Sequence, residues 1–178
     1  SHPAPPNQDI IVNYTINDMG TEGQGNDYTA LSPHGTISAG TTGGKNYVDP
    51  LWDWVVELNE TFEISLTDSS LGSVAIGSAY GQITNDDAAT VTVSGPGAKV
   101  ERASGTSDFV FTLELDGIVD HEVLVNVTTA DGTAISTGQR KDYNGKSTPV
   151  TFGAYQWAQT REFRVEVIGD TIVELDEG

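Results

Sequence analysis

The chain has 178 residues, with 8 Lys and Arg against 26 Asp and Glu, a net charge of −18, and no cysteine. Such a charge repels phosphate backbones and anionic membranes, which argues against nucleic-acid binding, and the lack of thiols removes disulfides and thiolate zinc sites. No apolar run approaches the ~20 residues of a bilayer-spanning helix, and no signal-peptide pattern is visible.

From the start, residues 1–8 read as a linker or tag remnant, because the prolines of Pro3-Ala4-Pro5-Pro6 oppose regular structure before Asp9. Ile10–Thr15 alternates as a strand does, and the pair Asp27-Tyr28 follows. Next come Trp52 and Trp54 and an acidic run, Asp53-x-x-x-Glu57-x-x-Glu60. Phe62, Ile64 and Leu66 then mark a second strand. After Gly81–Asp87 the strand pattern resumes in Val91 and Val93, in Phe109, Phe111, Leu113 and Leu115, in Val123, Val125 and Val127, and in Phe163, Val165 and Val167. No stretch of helical length carries a 3.6-residue apolar stripe, and 20 glycines punctuate the strands at the spacing of β-sandwiches.

Two features recur. The acidic run returns as Asp170-x-x-x-Glu174-x-x-Glu177, displaced by 117 residues, and the Asp-Tyr pair returns as Asp142-Tyr143, displaced by 115. A long fixed period carrying the same hard oxygen ligands predicts tandem domains that each hold a cation. With 178 residues the chain holds about one and a half periods. Repeat 1, expected over 9–88, lacks its first strands, and repeat 2, over 89–178, lacks its last.

These residues resemble the Calx-beta domain family. The matching run in repeat 2 is Val91-Thr92-Val93, Glu101, Phe109–Leu113, Thr128-Thr129-Ala130-Asp131-Gly132-Thr133-Ala134, Asp142-Tyr143 and Gly169–Glu177; repeat 1 matches through Glu57–Phe62 and Asn85-Asp86-Asp87. The resemblance implies an all-β fold of immunoglobulin-like antiparallel sandwiches in tandem. It also implies calcium ligands: Asp27, Asp53, the Val55 carbonyl, Glu57, Glu60, Asn85, Asp86 and Asp87 in repeat 1, and Glu101, Asp142, Asp170, the Ile172 carbonyl, Glu174 and Glu177 in repeat 2. Ca²⁺ accepts six to eight oxygens in flexible geometry, so it suits carboxylates and carbonyls gathered from several loops. The other reading of these acids is a set of solvated loop residues.

Other features carry less. His2, His34 and His121 have no ligand spacing, and neither a Gly-x-Ser-x-Gly elbow nor a phosphate loop occurs, so no catalysis is expected. Three glycosylation sequons begin at Asn13, Asn59 and Asn126, relevant only in a eukaryotic secretory host. Trp52 with Trp54, and Tyr155 with Trp157, stand two apart, which places each pair on one side of a strand as sheet packing. The alternative is a platform for carbohydrate or a partner protein.

The expectation is therefore a calcium-binding structural or adhesive module of a large extracellular or cell-surface repeat protein of bacterial type. Its partners would be calcium ions and neighbouring repeats, with no nucleic acid and no membrane insertion. The incomplete repeats also predict self-association, as a homo-oligomer or fibre, by strand exchange through Glu60–Asp87 and Thr90–Leu115.

Overall fold

The computed structural model describes residues 2–19, 27–29 and 32–172, and among these every regular element is a strand. Two compact units divide the chain. The first holds most residues up to Asp86, and the second runs from Asp87 onward and includes the short run Trp54–Glu57.

The first unit is a four-stranded antiparallel sheet. It is formed by β1 (Ile10–Asp18), β2 (His34–Ile37), β4 (Glu60–Ser69) and β5 (Ser78–Ile83), in the order β2-β1-β4-β5. A register shift between Asn13 and Tyr14 interrupts the β1–β4 ladder. Phe62 stands opposite Gly81, and its ring lies so close that a Cβ there would meet it at 2.2 Å, so any side chain at that position would have to displace the ring. The Phe62 ring also packs on Tyr28, with centroids 5.2 Å apart. The buried side chains of this unit are few and partly polar: Ala4, Tyr14, Tyr28 and Asp27. The proline-rich start forms no strand, yet Ala4 is buried and its N–H donates to the Thr41 carbonyl at 2.8 Å.

The second unit has a larger apolar core. Strands β6 (Thr90–Ser94), β7 (Gly105–Asp116) and β11 (Gln159–Gly169) form one antiparallel sheet in the order β11-β7-β6, and β9 (Val123–Thr128) pairs with β10 (Ser147–Phe152) in another. Two-residue strands β3 (Val55–Val56) and β8 (Ile118–Val119) pair in parallel. Alternation does the sorting in β11: Phe163 and Val165 are buried while Glu162, Arg164 and Glu166 face out. Phe163 pairs with Phe111 and Val165 with Phe109 across the ladder. Leu113, Leu115, Val119, Tyr143, Phe152, Phe163 and Val165 form the core cluster, with Val123, Val125, Val127 and Val150 packed against it. The two sheets thus bury facing sides against each other as a sandwich.

The repeat is visible in three dimensions and extends further than the acidic run. Asn13–Asp18 corresponds to Asn126–Asp131, displaced by 113 residues, so β1 answers to β9 and its neighbour β2 to β10. In the first unit β1 is flanked by both β2 and β4, whereas among the described residues β9 pairs with β10 alone. The counterpart of β11 is the stretch around 42–52. That stretch holds an isolated bridge from Pro50 to Tyr28.

The aromatic pairs differ from expectation. Trp52, Trp54, Tyr155 and Trp157 lie outside the strands and are exposed, at 86%, 78%, 56% and 63%, so they do not pack on a sheet face. The spacing of two is the accident of two loops rather than a strand period.

Candidate metal centre

Asp27 is set by the backbone on either side of it. Its carbonyl accepts the Leu51 N–H at 2.8 Å, the Thr29 N–H donates to the Asp49 carbonyl at 3.0 Å, and Tyr28 bridges Pro50 between them. These bonds draw Asp27 toward Asp53, two residues beyond Leu51. Asp27, Asp53 and Glu57 each offer a carboxylate oxygen, and these oxygens all lie within 4.8 Å of one another. Asp27 is 4% exposed, and its Oδ2 is buried without a hydrogen-bond partner. A buried carboxylate oxygen lacking a donor is costly, and at such distances each pair of charges repels by about 3–4 kcal/mol at an effective dielectric of 20. A hard divalent cation relieves both terms, and the donor set, all carboxylate, fits calcium rather than a softer metal.

Tyr28, next to Asp27 in sequence, is almost wholly buried. Its hydroxyl donates to Asp18 Oδ1 at 2.5 Å. Burial, then the hydrogen bond to Asp18, then the charges of Asp18, Asp27 and Glu60 all hold the Tyr28 hydroxyl far above the ordinary tyrosine range. Glu60, at the start of β4, therefore lies within the field of the same hydroxyl, although it is not one of the three convergent carboxylates. Val55 sits in β3 between Asp53 and Glu57. Asn85 donates its N–H to Asn59 Oδ1 at 3.1 Å, which ties the end of the first repeat back to the acidic run. Asp86 is exposed and Asp87 half-buried, and neither joins the three-carboxylate group.

The second repeat reproduces the frame. The Asp142 carbonyl accepts the Ile168 N–H at 2.7 Å, Asn144 N–H donates to the Glu166 carbonyl at 2.8 Å, and Tyr143 bridges Val167. Asp170 again lies two residues past the bonded position, and its N–H donates to Glu101 Oε1 at 3.1 Å, so Glu101 and Asp170 are brought together. Asp170 Oδ1 accepts the Ile172 N–H at 2.6 Å, and Asp142 Oδ2 accepts the Ile135 N–H at 2.6 Å. Glu174 and Glu177 lie outside the described residues, so the counterpart of Glu57 is among those not described. No group of three acids converges in this repeat among the described residues.

Sequence reasoning missed Asp18 and Asp131. Tyr143 donates to Asp131 Oδ1 at 2.7 Å, as Tyr28 does to Asp18, so each repeat locks its Asp-Tyr pair to an aspartate at the end of the preceding strand region. The hydrogen bond from Tyr143, followed by that from Ser136, holds the Asp131 carboxyl below its ordinary range, and Asp131 in turn raises Tyr143. The signal that could have found them is the displacement of 113 residues relating Asn13-Tyr14-Thr15 to Asn126-Val127-Thr128.

The Calx-beta domain family model matches the chain twice, over residues 4–83 and 84–178. The chain belongs to the Calx-beta domain family. Among solved structures it is similar to the crystal structure of CBD12 from CALX1.2, at 18% identity over 96% of this chain and 66% of that one, with a TM-score of 0.40. It is likewise similar to the crystal structure of calcium binding domain CBD12 of CALX1.1, at 19% identity over 93% of this chain and 65% of that one, with a TM-score of 0.37. The chain thus spans just under two thirds of the length of each. No curated protein sequence matches it.

Proposed function

We propose that this pair of Calx-beta domains is a calcium-dependent structural module, in which Ca²⁺ bound at Asp27, Asp53 and Glu57 holds together segments far apart in sequence. The observation that carries the reading is Asp27 itself, whose buried Oδ2 has no hydrogen-bond partner and whose carboxylate brings an oxygen within 4.8 Å of oxygens of Asp53 and Glu57. The Val55 carbonyl, Glu60 and the closing Asn85-Asp86-Asp87 run would supply further oxygens. Asp142, Asp170 and Glu101, with the Ile172 carbonyl, Glu174 and Glu177, would form a second and weaker site. When bound, the ion supplies positive charge to a carboxylate cluster. The chain's own contribution is the fixed placement of Asp27 through Leu51 and Tyr28.

The setting is an extracellular or cell-surface repeat protein with a structural or adhesive role, in which calcium stiffens the modules and the stretch joining them. Support for this comes from the charge of −18 and from Asp86 and Asp87 standing just before β6 in sequence. Self-association by strand exchange belongs to the same proposal, supported by the free edge that β9 offers among the described residues.

Calorimetric titration of CaCl₂ into chelator-stripped protein tests the reading. The expected Kd is ~10⁻⁴–10⁻³ M, the range of extracellular modules. Glu57→Gln with Glu60→Gln should remove most of the heat, and Glu174→Gln with Glu177→Gln should remove less. A melting temperature unchanged between excess chelator and ~10 mM calcium would overturn it. Sedimentation at micromolar concentration addresses the exchange, which a cooperatively melting monomer would exclude.

A further inference from the structure

The loop Gly153–Ala158 joins β10 to β11 with a backbone held in unfavourable conformations. Tyr155 and Ala158 have φ of 53° and 50°, the only non-glycine residues with positive φ among those described. In that region Cβ crowds the backbone carbonyl, and L-residues seldom adopt it. The loop is tied at its base by Gln159, which is 5% exposed. Gly153 N–H donates to Gln159 Oε1 at 2.7 Å, and Gln159 Nε2 donates back to the Gly153 carbonyl at 2.6 Å. Arg161 braces this amide, donating to Gln159 Oε1 at 3.0 Å and to the Thr151 carbonyl at 2.9 Å. The Tyr155 N–H donates to the Val119 carbonyl of β8 at 2.8 Å.

Backbone strain persists only where the surroundings enforce it, and such places cluster at binding sites. What this enforced loop displays is two large rings in solvent, Tyr155 at 56% and Trp157 at 63% exposure. A third ring belongs to the same unit. Trp54, 78% exposed, leads into β3, whose Val56 pairs with the Val119 that receives the Tyr155 N–H.

We propose that Trp54, Tyr155 and Trp157 form a docking platform for a neutral polysaccharide chain, with the rings lying against the C–H faces of successive sugars. Size argues for this occupant. Three side chains that bury at most ~150–250 Å² each fall short of the ~800 Å² per partner of a standard protein interface. A glycan, being a narrow ribbon, needs no more than a few rings to stack on. Charge selects the neutral class, because a chain of net charge −18 repels uronate and sulfate groups. Rigidity completes the argument: rings on a loop ordered in advance lose little freedom on binding.

The test is native affinity electrophoresis of the whole chain, in gels containing hydroxyethyl cellulose, galactomannan, arabinoxylan or laminarin, with polygalacturonate as the anionic comparison. Each gel is run in chelator and in calcium, which separates this platform from the metal centre. Retardation by at least one neutral polysaccharide in both buffers is expected. It should weaken about tenfold or more in Trp54→Ala and in Trp157→Ala, whose rings are exposed, and persist in Tyr80→Ala. Melting curves of the variants should overlay that of the parent chain. Migration unaffected by every neutral polysaccharide would overturn the proposal, as would retardation that survives both tryptophan changes. Equal or stronger retardation by polygalacturonate would refute the neutral assignment.

Discussion

Replacing Asp27 by Asn should change stability in opposite directions with and without calcium. The substitution keeps shape and removes one charge from three carboxylates whose oxygens lie within 4.8 Å. Each pair repels by about 3–4 kcal/mol at an effective dielectric of 20. Asp53 is exposed and Glu57 half-buried, so water and salt screen much of this. About 1–2 kcal/mol of relief remains for a buried partner such as Asp27. In excess chelator the variant should therefore be the more stable form. In calcium at ~100 times Kd the parent chain gains about 2.7 kcal/mol per site, most of which the variant forfeits. For units of this size 1 kcal/mol moves the midpoint by roughly 4–8 °C, so the two melting curves should exchange order between buffers. Scanning calorimetry of both proteins, in chelator and in CaCl₂ at ~100 times the titrated Kd, reads this directly. An Asn variant that melts below the parent chain in both buffers would show that Asp27 acts as a structural hydrogen-bonding residue and not as a metal ligand.

The Tyr28 hydroxyl is raised by burial and by its bond to Asp18, so its contribution to stability is complete below the unfolded tyrosine value near ~10 and is lost as pH climbs above it. Tyr28→Phe should cost about 1–2 kcal/mol at neutral pH and flatten the alkaline side of the melting profile, which denaturation at stepped pH would reveal. Asp131 is lowered by Tyr143, so its contribution is present above the unfolded carboxylate value near ~4 and falls away in more acid solution; Asp131→Asn should remove that acid-side slope. Phe152, wholly buried in the core cluster, should cost about 3–5 kcal/mol when cut to Ala, seen as an earlier urea midpoint. Ala158→Gly should raise stability by up to about 1 kcal/mol, because glycine tolerates φ of 50° while adding some freedom to the unfolded chain.

Much of this protein follows from local sequence. The alternation of Phe163 and Val165 with charged neighbours determined which face of β11 would be buried, because side chains in a strand point to opposite sides in turn. The recurrence of Asp-Tyr and of the acidic run determined the tandem plan, and the same short backbone bonds recur around Asp27 and around Asp142. Other features were decided only by tertiary structure. Asp18 and Asp131 earn their places through a tyrosine hydroxyl 10 and 12 residues away, a contact that no local pattern encodes. The Trp54 and Tyr155-Trp157 rings looked like sheet residues by spacing and stand in solvent, because the chain turns out of its strands at those points. Which three acids converge was also beyond the sequence. Charge and spacing nominate many carboxylates, but long-range pairing of the backbone selects those that meet, and of the three that converge Asp27 is the one that is buried.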